Sequence, residues 1–174
     1  MRIVALTGYQ QTGKTEIARY LERRWGFRLV PLRAPAVAMM QALGIAEDYF
    51  SPQRQHCRCD DLPVTPAKAI ETLMESWGRL CLDDRFWLSR WEARVGTLPP
   101  RANIVVDDIG RADEATAIRA LGGKVWRVNH PKRHARNARE EANMDGIEED
   151  RSVYNGKGLK ELFRSIDGLI LDQK

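Results

Sequence analysis

The sequence predicts an α/β protein in which a parallel sheet of about five strands is covered by helices on both faces. Short apolar runs alternate with helical stripes along the chain, and the first run enters a glycine-rich loop that opens directly into a helix. With 174 residues, 43% of them hydrophobic, the chain is long enough for one domain with a real core. It contains no internal repeat, low-complexity tract or linker, so a single domain with helical insertions is expected.

The elements follow in order. Arg2 to Leu6 is apolar and short enough to be a buried strand, and Ile17, Ala18, Leu21 and Trp25 then fall on one helix face. Phe27 to Val30 reads as the second strand, and Ala34 to Leu43 as a helix stopped by Gly44. Thr65 and Pro66 form an N-cap and first-turn pair for a longer helix whose apolar stripe is Ala69, Ile70, Leu73, Met74, Trp77 and Leu80. Asn103 to Val106 is a third strand. Asp113 to Leu121 is a helix ended by Gly122-Gly123, and Val125 to Val128 is a fourth strand. A last helix is expected over Leu159 to Ile166, followed by a fifth strand at Leu169 to Leu171.

The loop after the first strand, Gly8-Tyr-Gln-Gln-Thr-Gly-Lys-Thr15, is a complete P-loop pattern. A polyphosphate carries several negative charges and little apolar surface, so its binder must offer donors and cations. Gly8 and Gly13 let the backbone curl so that N–H groups point inward, and the helix starting near Gly13 adds the positive end of its dipole. Lys14 supplies a mobile cation for β and γ phosphates, and the Thr15 hydroxyl is a ligand for Mg²⁺. Residues Gly8, Gln10, Gln11, Thr12, Gly13, Lys14, Thr15 and Glu16 are therefore the candidate nucleotide-binding set.

The third strand ends in Asp107-Asp108. In a P-loop protein an aspartate at the end of a neighbouring strand holds Mg²⁺ opposite the loop hydroxyl, which makes Thr15 and Asp107 the candidate metal pair. The carboxyl ends of parallel strands are also where ligands bind. From Lys132 to Arg139 the chain packs four cations into eight residues, followed by Glu140 and Glu141. This run is compatible with a solvated helix face, a clamp on phosphates or a nucleic-acid footprint; the absence of aromatic residues argues against stacking on a single strand. Between the second and third strands, Arg33, Arg54, Lys68 and Arg79 are the anion-contact candidates. For Arg79 the alternative is a pair with Glu75 on an exposed helix face.

Net charge is a modest +4, and the three cysteines at 57, 59 and 81 suit a reducing compartment better than a disulfide framework. His56-Cys57-Arg58-Cys59 lacks a second cluster to complete tetrahedral zinc. No apolar run reaches bilayer-spanning length, and Met1-Arg2-Ile3 enters a strand rather than a signal peptide, so a soluble cytoplasmic protein with no membrane or nucleic-acid partner is expected.

The order of P-loop, Thr65-Pro66, Glu71-Thr-Leu-Met-Glu75-Ser-Trp77-Gly78-Arg79, Val105-Val106-Asp107-Asp108, Asp113-Glu114-Ala115, Ala120-Leu-Gly-Gly-Lys-Val125 and Asn155-Gly156 resembles the phage-type deoxynucleoside monophosphate kinases from Ile3 to about Leu171. The resemblance implies an adenylate-kinase-like P-loop fold with a core (1–33, 101–129 and 152–174), a helical acceptor-binding insertion (34–100) and a short lid (130–151). It implies transfer of the γ-phosphoryl group of ATP to a deoxynucleoside 5′-monophosphate, with Mg²⁺ required, by a protein encoded by a phage or bacterium that could form a homodimer. By position it implies a phosphate contact from Arg79, lid cations from Arg133, Arg136 and Arg139, and an adenine-side loop at Asn155. With Lys14 and Arg111 these complete the candidate catalytic set, and Arg33, Lys68, Glu71, Glu75, Arg79 and Asp108 form the acceptor-binding set.

Three departures mark this chain. Gly110 stands where the family typically has arginine, with Arg111 one residue later; Thr65-Pro66-Ala67-Lys68 stands where the family commonly has Thr-Pro-Arg; and Glu71 stands where it commonly has glutamine. The last exchange removes a donor and adds charge beside the base. Other readings are another small-molecule P-loop kinase, such as one acting on dephospho-coenzyme A, and a P-loop ATPase or binding module. A GTP switch would carry an Asn-Lys-x-Asp signature, which the sequence lacks.

Overall fold

Ile3–Thr7 (β1) is buried along its whole length because it lies at the centre of the sheet with a parallel neighbour on each side. The computed structural model describes residues 1–135 and 137–172, and residue 139 through its backbone alone. The chain divides into two compact units, Met1–Pro31 with Leu98–Lys174, and Leu32–Thr97.

The first unit holds the sheet. Its elements are β1, α1 (Lys14–Trp25), β2 (Arg28–Leu29), β3 (Ile104–Val106), α5 (Ala112–Ala120), β4 (Lys124–Asn129), α6 (Ala138–Asp145), β5 (Arg151–Tyr154) and α7 (Leu159–Leu171). Strand order is β2-β3-β1-β4-β5, and every pairing is parallel. Alternation along the strands sends Val4, Leu6, Val105, Trp126, Val128 and Val153 to one face, where they pack with Ile17, Leu21, Leu162, Ile166 and Ile170 of α1 and α7. These two helices are further tied by stacked Tyr20 and Phe163 rings, 4.1 Å apart. The Asp167 carboxylate accepts from the Tyr20 hydroxyl (2.8 Å) and the Trp25 indole (2.9 Å). Since α1 begins at the glycine loop and α7 follows β5, this packing fixes the two elements that flank the loop.

The fifth strand is not where the periodicity placed it. Leu169 to Leu171 continues α7, and the strand is Arg151–Tyr154. Leu162, Ile166 and Ile170 fall at four-residue spacing on one buried stripe, so the core contact outweighs the cost of about 1 kcal/mol for Gly168 inside the helix. The true strand escapes an apolar search because it lies at the sheet edge, with Val153 its one buried residue.

The second unit is helical: α2 (Ala34–Ala42), a short 3₁₀ turn (Glu47–Phe50), α3 (Pro66–Thr72), a π-helix (Leu73–Leu82) and α4 (Phe86–Gly96). The Thr65 hydroxyl caps α3 by accepting from the Lys68 N–H at 3.3 Å. The predicted single long helix changes to the wider i→i+5 spacing at Leu73, and α4, which the stripe search did not find, packs against it. At the junction the Trp87 indole donates to the Met74 carbonyl at 2.9 Å and occupies the space beside Gly78. A Cβ at Gly78 would lie 2.1 Å from the indole nitrogen. Phe86 meets both Trp77 and Trp87 edge to face, at 5.6 and 4.9 Å.

Gly78→Ala tests this packing. A glycine-to-alanine change inside an exposed helix stabilises by up to about 1 kcal/mol. Here the clash with a buried, hydrogen-bonded indole dominates, and a net loss of about 1–3 kcal/mol is expected in urea unfolding; an equal or higher midpoint would contradict the packing.

Candidate functional site

The glycine loop is shaped by two positions where no side chain fits. Gly8 has φ +130°, and a Cβ there would lie 2.4 Å from the Val128 carbonyl oxygen on β4. Gly13 has φ +105° as the N-cap of α1, and a Cβ there would lie 2.5 Å from the Asn155 side-chain nitrogen. Gln11 also takes a left-handed conformation, with φ +59°. The loop is held from inside as well. Buried Thr12 donates its hydroxyl to the Tyr9 carbonyl (2.9 Å), and the Asn155 amide donates to the Thr12 carbonyl (2.8 Å).

Lys14 folds back over this loop, its ammonium donating to the Gly8 carbonyl (2.6 Å) and the Tyr9 carbonyl (2.7 Å). The cation therefore rests against the carbonyls at the start of the loop. Thr15, one residue on, donates its hydroxyl to Oδ2 of Asp107 at 3.2 Å. Asp107 follows the last residue of β3 and is 8% exposed. A hydroxyl and a carboxylate facing each other are hard oxygen donors of the kind Mg²⁺ takes. Among the described residues no group of three or more His, Cys, Asp or Glu could hold a metal, so a divalent ion here would complete its shell with phosphate oxygens and water.

The turn beyond Asp107 is fixed by a residue of the Asp113-Glu114-Ala115 block that is not among the candidate site residues. The buried Glu114 carboxylate accepts from the backbone N–H groups of Gly110 (2.9 Å) and Arg111 (3.1 Å). The signal is in the sequence: a glutamate three residues into a helix reaches back to the N-terminal amides. Arg111 turns its Nε to Asp113 Oδ1 at 3.0 Å, and Asp108 is half-buried on the same turn.

Lys132, Arg133 and His134, all exposed, line an open cleft of about 240 Å³ with Gln10 and Gln11 of the loop. The first part of the basic run is thus brought against the glycine loop. Arg136 and the side chain of Arg139 lie outside the described residues. Glu16, by contrast, pairs with Arg19 along the helix at 3.4 Å, and Asn155 turns its amide to the loop backbone.

Apart from Asp108, the acceptor-side candidates belong to the second unit. Arg33 donates to the Gln55 side chain (2.8 Å), and Lys68 pairs with Glu71 on the exposed face of α3 (3.2 Å). Arg79 does pair with Glu75, at 3.3 Å, but on a buried face: its side chain is 4% exposed and also reaches Asp84, donating to the backbone carbonyl at 3.0 Å with the carboxylate at 3.6 Å. Cys57 is exposed and Cys59 buried. Among the described residues no helix is long and apolar enough to cross a membrane.

No family model and no curated protein matches the sequence. Solved structures do. The chain is similar to shikimate kinase from Aquifex aeolicus vf5, with TM-score 0.57 and 14% identity over 99% of this chain and 98% of that one. It is similar to shikimate kinase from Acinetobacter baumannii in complex with shikimate, with TM-score 0.54 and 14% identity over 99% and 94%. It is also similar to dephospho-CoA kinase from Campylobacter jejuni, with TM-score 0.50 and 12% identity over 98% and 97%. At such identities the likeness establishes the shared fold, the P-loop α/β architecture that the sheet order and glycine loop already display.

Gly13→Ala combines a strained φ with a clash against Asn155, and a folded G13A variant is expected to bind a non-hydrolysable ATP analogue at least about tenfold more weakly by calorimetry. Unchanged affinity would remove the loop from the binding site.

Proposed function

We propose that this chain is an ATP-dependent phosphotransferase that moves the γ-phosphoryl group of ATP to a deoxynucleoside 5′-monophosphate. The observation that carries the reading is the glycine loop with its Lys14 ammonium beside the Thr15–Asp107 pair. Solved structures that share the fold carry the names of small-molecule kinases, which supports phosphoryl transfer to a small acceptor over hydrolysis. For the acceptor, support comes from the Thr65-Pro66, Glu71, Trp77-Gly78-Arg79 and Asp107-Asp108 blocks in family order.

Phosphoryl transfer asks little covalent chemistry of a protein; it asks for in-line placement and for positive charge where the migrating group passes. Lys14 is set to exchange its two loop carbonyls for phosphate oxygens, and the amides opening α1 face the same group. Mg²⁺, when bound with the triphosphate, neutralises charge on its β and γ oxygens. Thr15 and Asp107 would hold that ion, and Glu114 keeps the turn after Asp107 in place. Lys132 and Arg133 line the cleft beside the loop; in this reading they close over the phosphates and limit water. In this reading Arg136 and Arg139 add to the cover, Arg111 reaches the site from the turn, and Arg79 steadies the acceptor phosphate. That acceptor is already ionised near neutral pH, so no general base is required.

A second reading keeps the chemistry and changes the acceptor to a small metabolite, favoured by the names dephospho-CoA kinase and shikimate kinase among the proteins sharing the fold. A coupled ADP-release assay with ATP and Mg²⁺ separates the two, using deoxynucleoside and nucleoside monophosphates, dephospho-coenzyme A and shikimate as acceptors. Rapid turnover is expected with one or two deoxynucleotides. A response confined to dephospho-coenzyme A or shikimate would select the second reading, and equal slow ADP release with every acceptor would leave an ATPase. Lys14→Ala should lower turnover by about 10²–10³, the loss of one positioned cation at the transferring group; near-normal turnover would overturn the phosphotransferase reading.

A further inference from the structure

The basic run leaves the sheet at Asn129, the end of β4, and does not return as a free flap. Its far end is rooted. Met144 and Ile147 are buried, and the Thr7 hydroxyl, on the residue just before the glycine loop, lies 3.5 Å from the Met144 sulfur. Arg127 is the centre of this root. It sits on β4 opposite Thr7 of β1 and Ser152 of β5. One guanidinium nitrogen donates to the carbonyls of both Met144 (2.9 Å) and Ile147, and Nε pairs with Glu149 at 2.8 Å. The carbonyls of Met144, in the last turn of α6, and of Ile147, just beyond it, thus receive a cation where the helix dipole favours one. Asp150 continues the anchoring. Its carboxylate accepts from the Val125 N–H (2.8 Å) and pairs with Arg119 and Lys124, while its own N–H donates to the Val125 carbonyl (2.7 Å). Burial raises the pKa of Asp150, but the Val125 amide and the two cations outweigh it and hold the group below its ordinary value.

The two ends of the run differ accordingly. Residues 131–134 are exposed, with Lys132, Arg133 and His134 beside Gln10 and Gln11, whereas residues 144–150 are pinned to the strands that carry the glycine loop. We infer that Arg127 is a positioning residue for phosphoryl transfer: by clamping the return of the basic run beside Thr7, it sets where Lys132 and Arg133 stand over the loop. Arg127 touches no substrate; it acts through the pose of cations that do. The inference rests on the nucleotide reading proposed above and adds a residue that neither motif nor charge pattern marks, since a lone arginine inside a strand reads as surface.

The test compares wild type with Arg127→Leu, Arg127→Lys and Glu149→Gln. Three readouts are used: calorimetry with Mg²⁺ and the ATP analogue AMPPNP, trypsin cleavage within residues 132–139 with and without that analogue, and steady-state kinetics. R127L is expected to bind AMPPNP within about threefold of wild type but to lose nucleotide-dependent protection of the run, with kcat down about 30-fold and KM for ATP little changed. R127K should recover part of both effects, because a single ammonium can still serve the two carbonyls. E149Q leaves the arginine and its carbonyl bonds in place, so it decides the matter should R127L fail to fold; a kcat lowered about three- to fivefold with weakened protection is expected. Full protection and kcat within about twofold of wild type in the folded variants would overturn the proposal and leave Arg127 a structural residue. If wild type itself gives no heat with AMPPNP, it is the nucleotide reading that falls, and the positioning role with it.

Discussion

The space around the glycine loop is so tight that two positions in it admit no side chain at all, and much of the fold can be read as the apparatus that keeps it tight. Gly8 lies against the Val128 carbonyl and Gly13 against the Asn155 amide. The first contact presses the loop on β4, and the second presses it on the segment after β5. Both neighbours are in place because β4 pairs with β1 on one side and β5 on the other in parallel register, with Asn155 N–H donating to the Asn129 carbonyl at 2.8 Å. Remove β5 from the sheet edge and Asn155 loses its station. An edge strand with a single buried residue thereby governs a contact at the centre of the site.

A loop so constrained has its electrostatics arranged before any ligand arrives. Its carbonyls at Gly8 and Tyr9 hold the Lys14 ammonium, which keeps the cation from swinging into solvent. Such bonds cost little to exchange, because an incoming phosphate oxygen is a better acceptor than a neutral carbonyl. The amides of the first turn of α1 cannot be satisfied within the helix and so stay directed at the same volume. Thr15 and Asp107 repeat the pattern on the other flank, their mutual hydrogen bond keeping two oxygen donors aligned. Preorganised dipoles need no reorganisation during a reaction, which is where catalytic electrostatics gain most.

How legible this was in the sequence depends on how local the cause is. The P-loop, Asp107 at a strand end, the Thr65 cap and the stops at Gly44 and Gly122 are set by a few adjacent residues, and the structure has the corresponding turns and caps. The misread fifth strand was a contest between Leu169-Ile170-Leu171 as an apolar run and Ile170 as the end of a helical stripe that begins at Leu162; long-range packing on the sheet decided it. The π-helix was invisible for a similar reason, since the indole beside Gly78 belongs to a helix that follows it. Glu114 and Arg127 left weak traces because each acts on backbone groups rather than on a ligand.

The arginines of the chain divide by what satisfies them, and the division bears on the proposed reaction. Burying a guanidinium is tolerable only where acceptors surround it. Arg79, buried, has Glu75 and Asp84, and Arg127, half-buried, has two carbonyls and Glu149, so both are held as fixed parts. Arg133 and Lys132 are exposed, where water keeps them solvated until a phosphate comes. A cation committed to protein carboxylates beforehand, as Arg79 is, gives up part of its binding energy for a transient anion, whereas Lys132 and Arg133 keep theirs in solvent and have only to be aimed. In the positioning role inferred for Arg127, this half-buried arginine on β4 does the aiming, drawing the far end of the same segment to the sheet through one carbonyl in the last turn of α6 and one just beyond it.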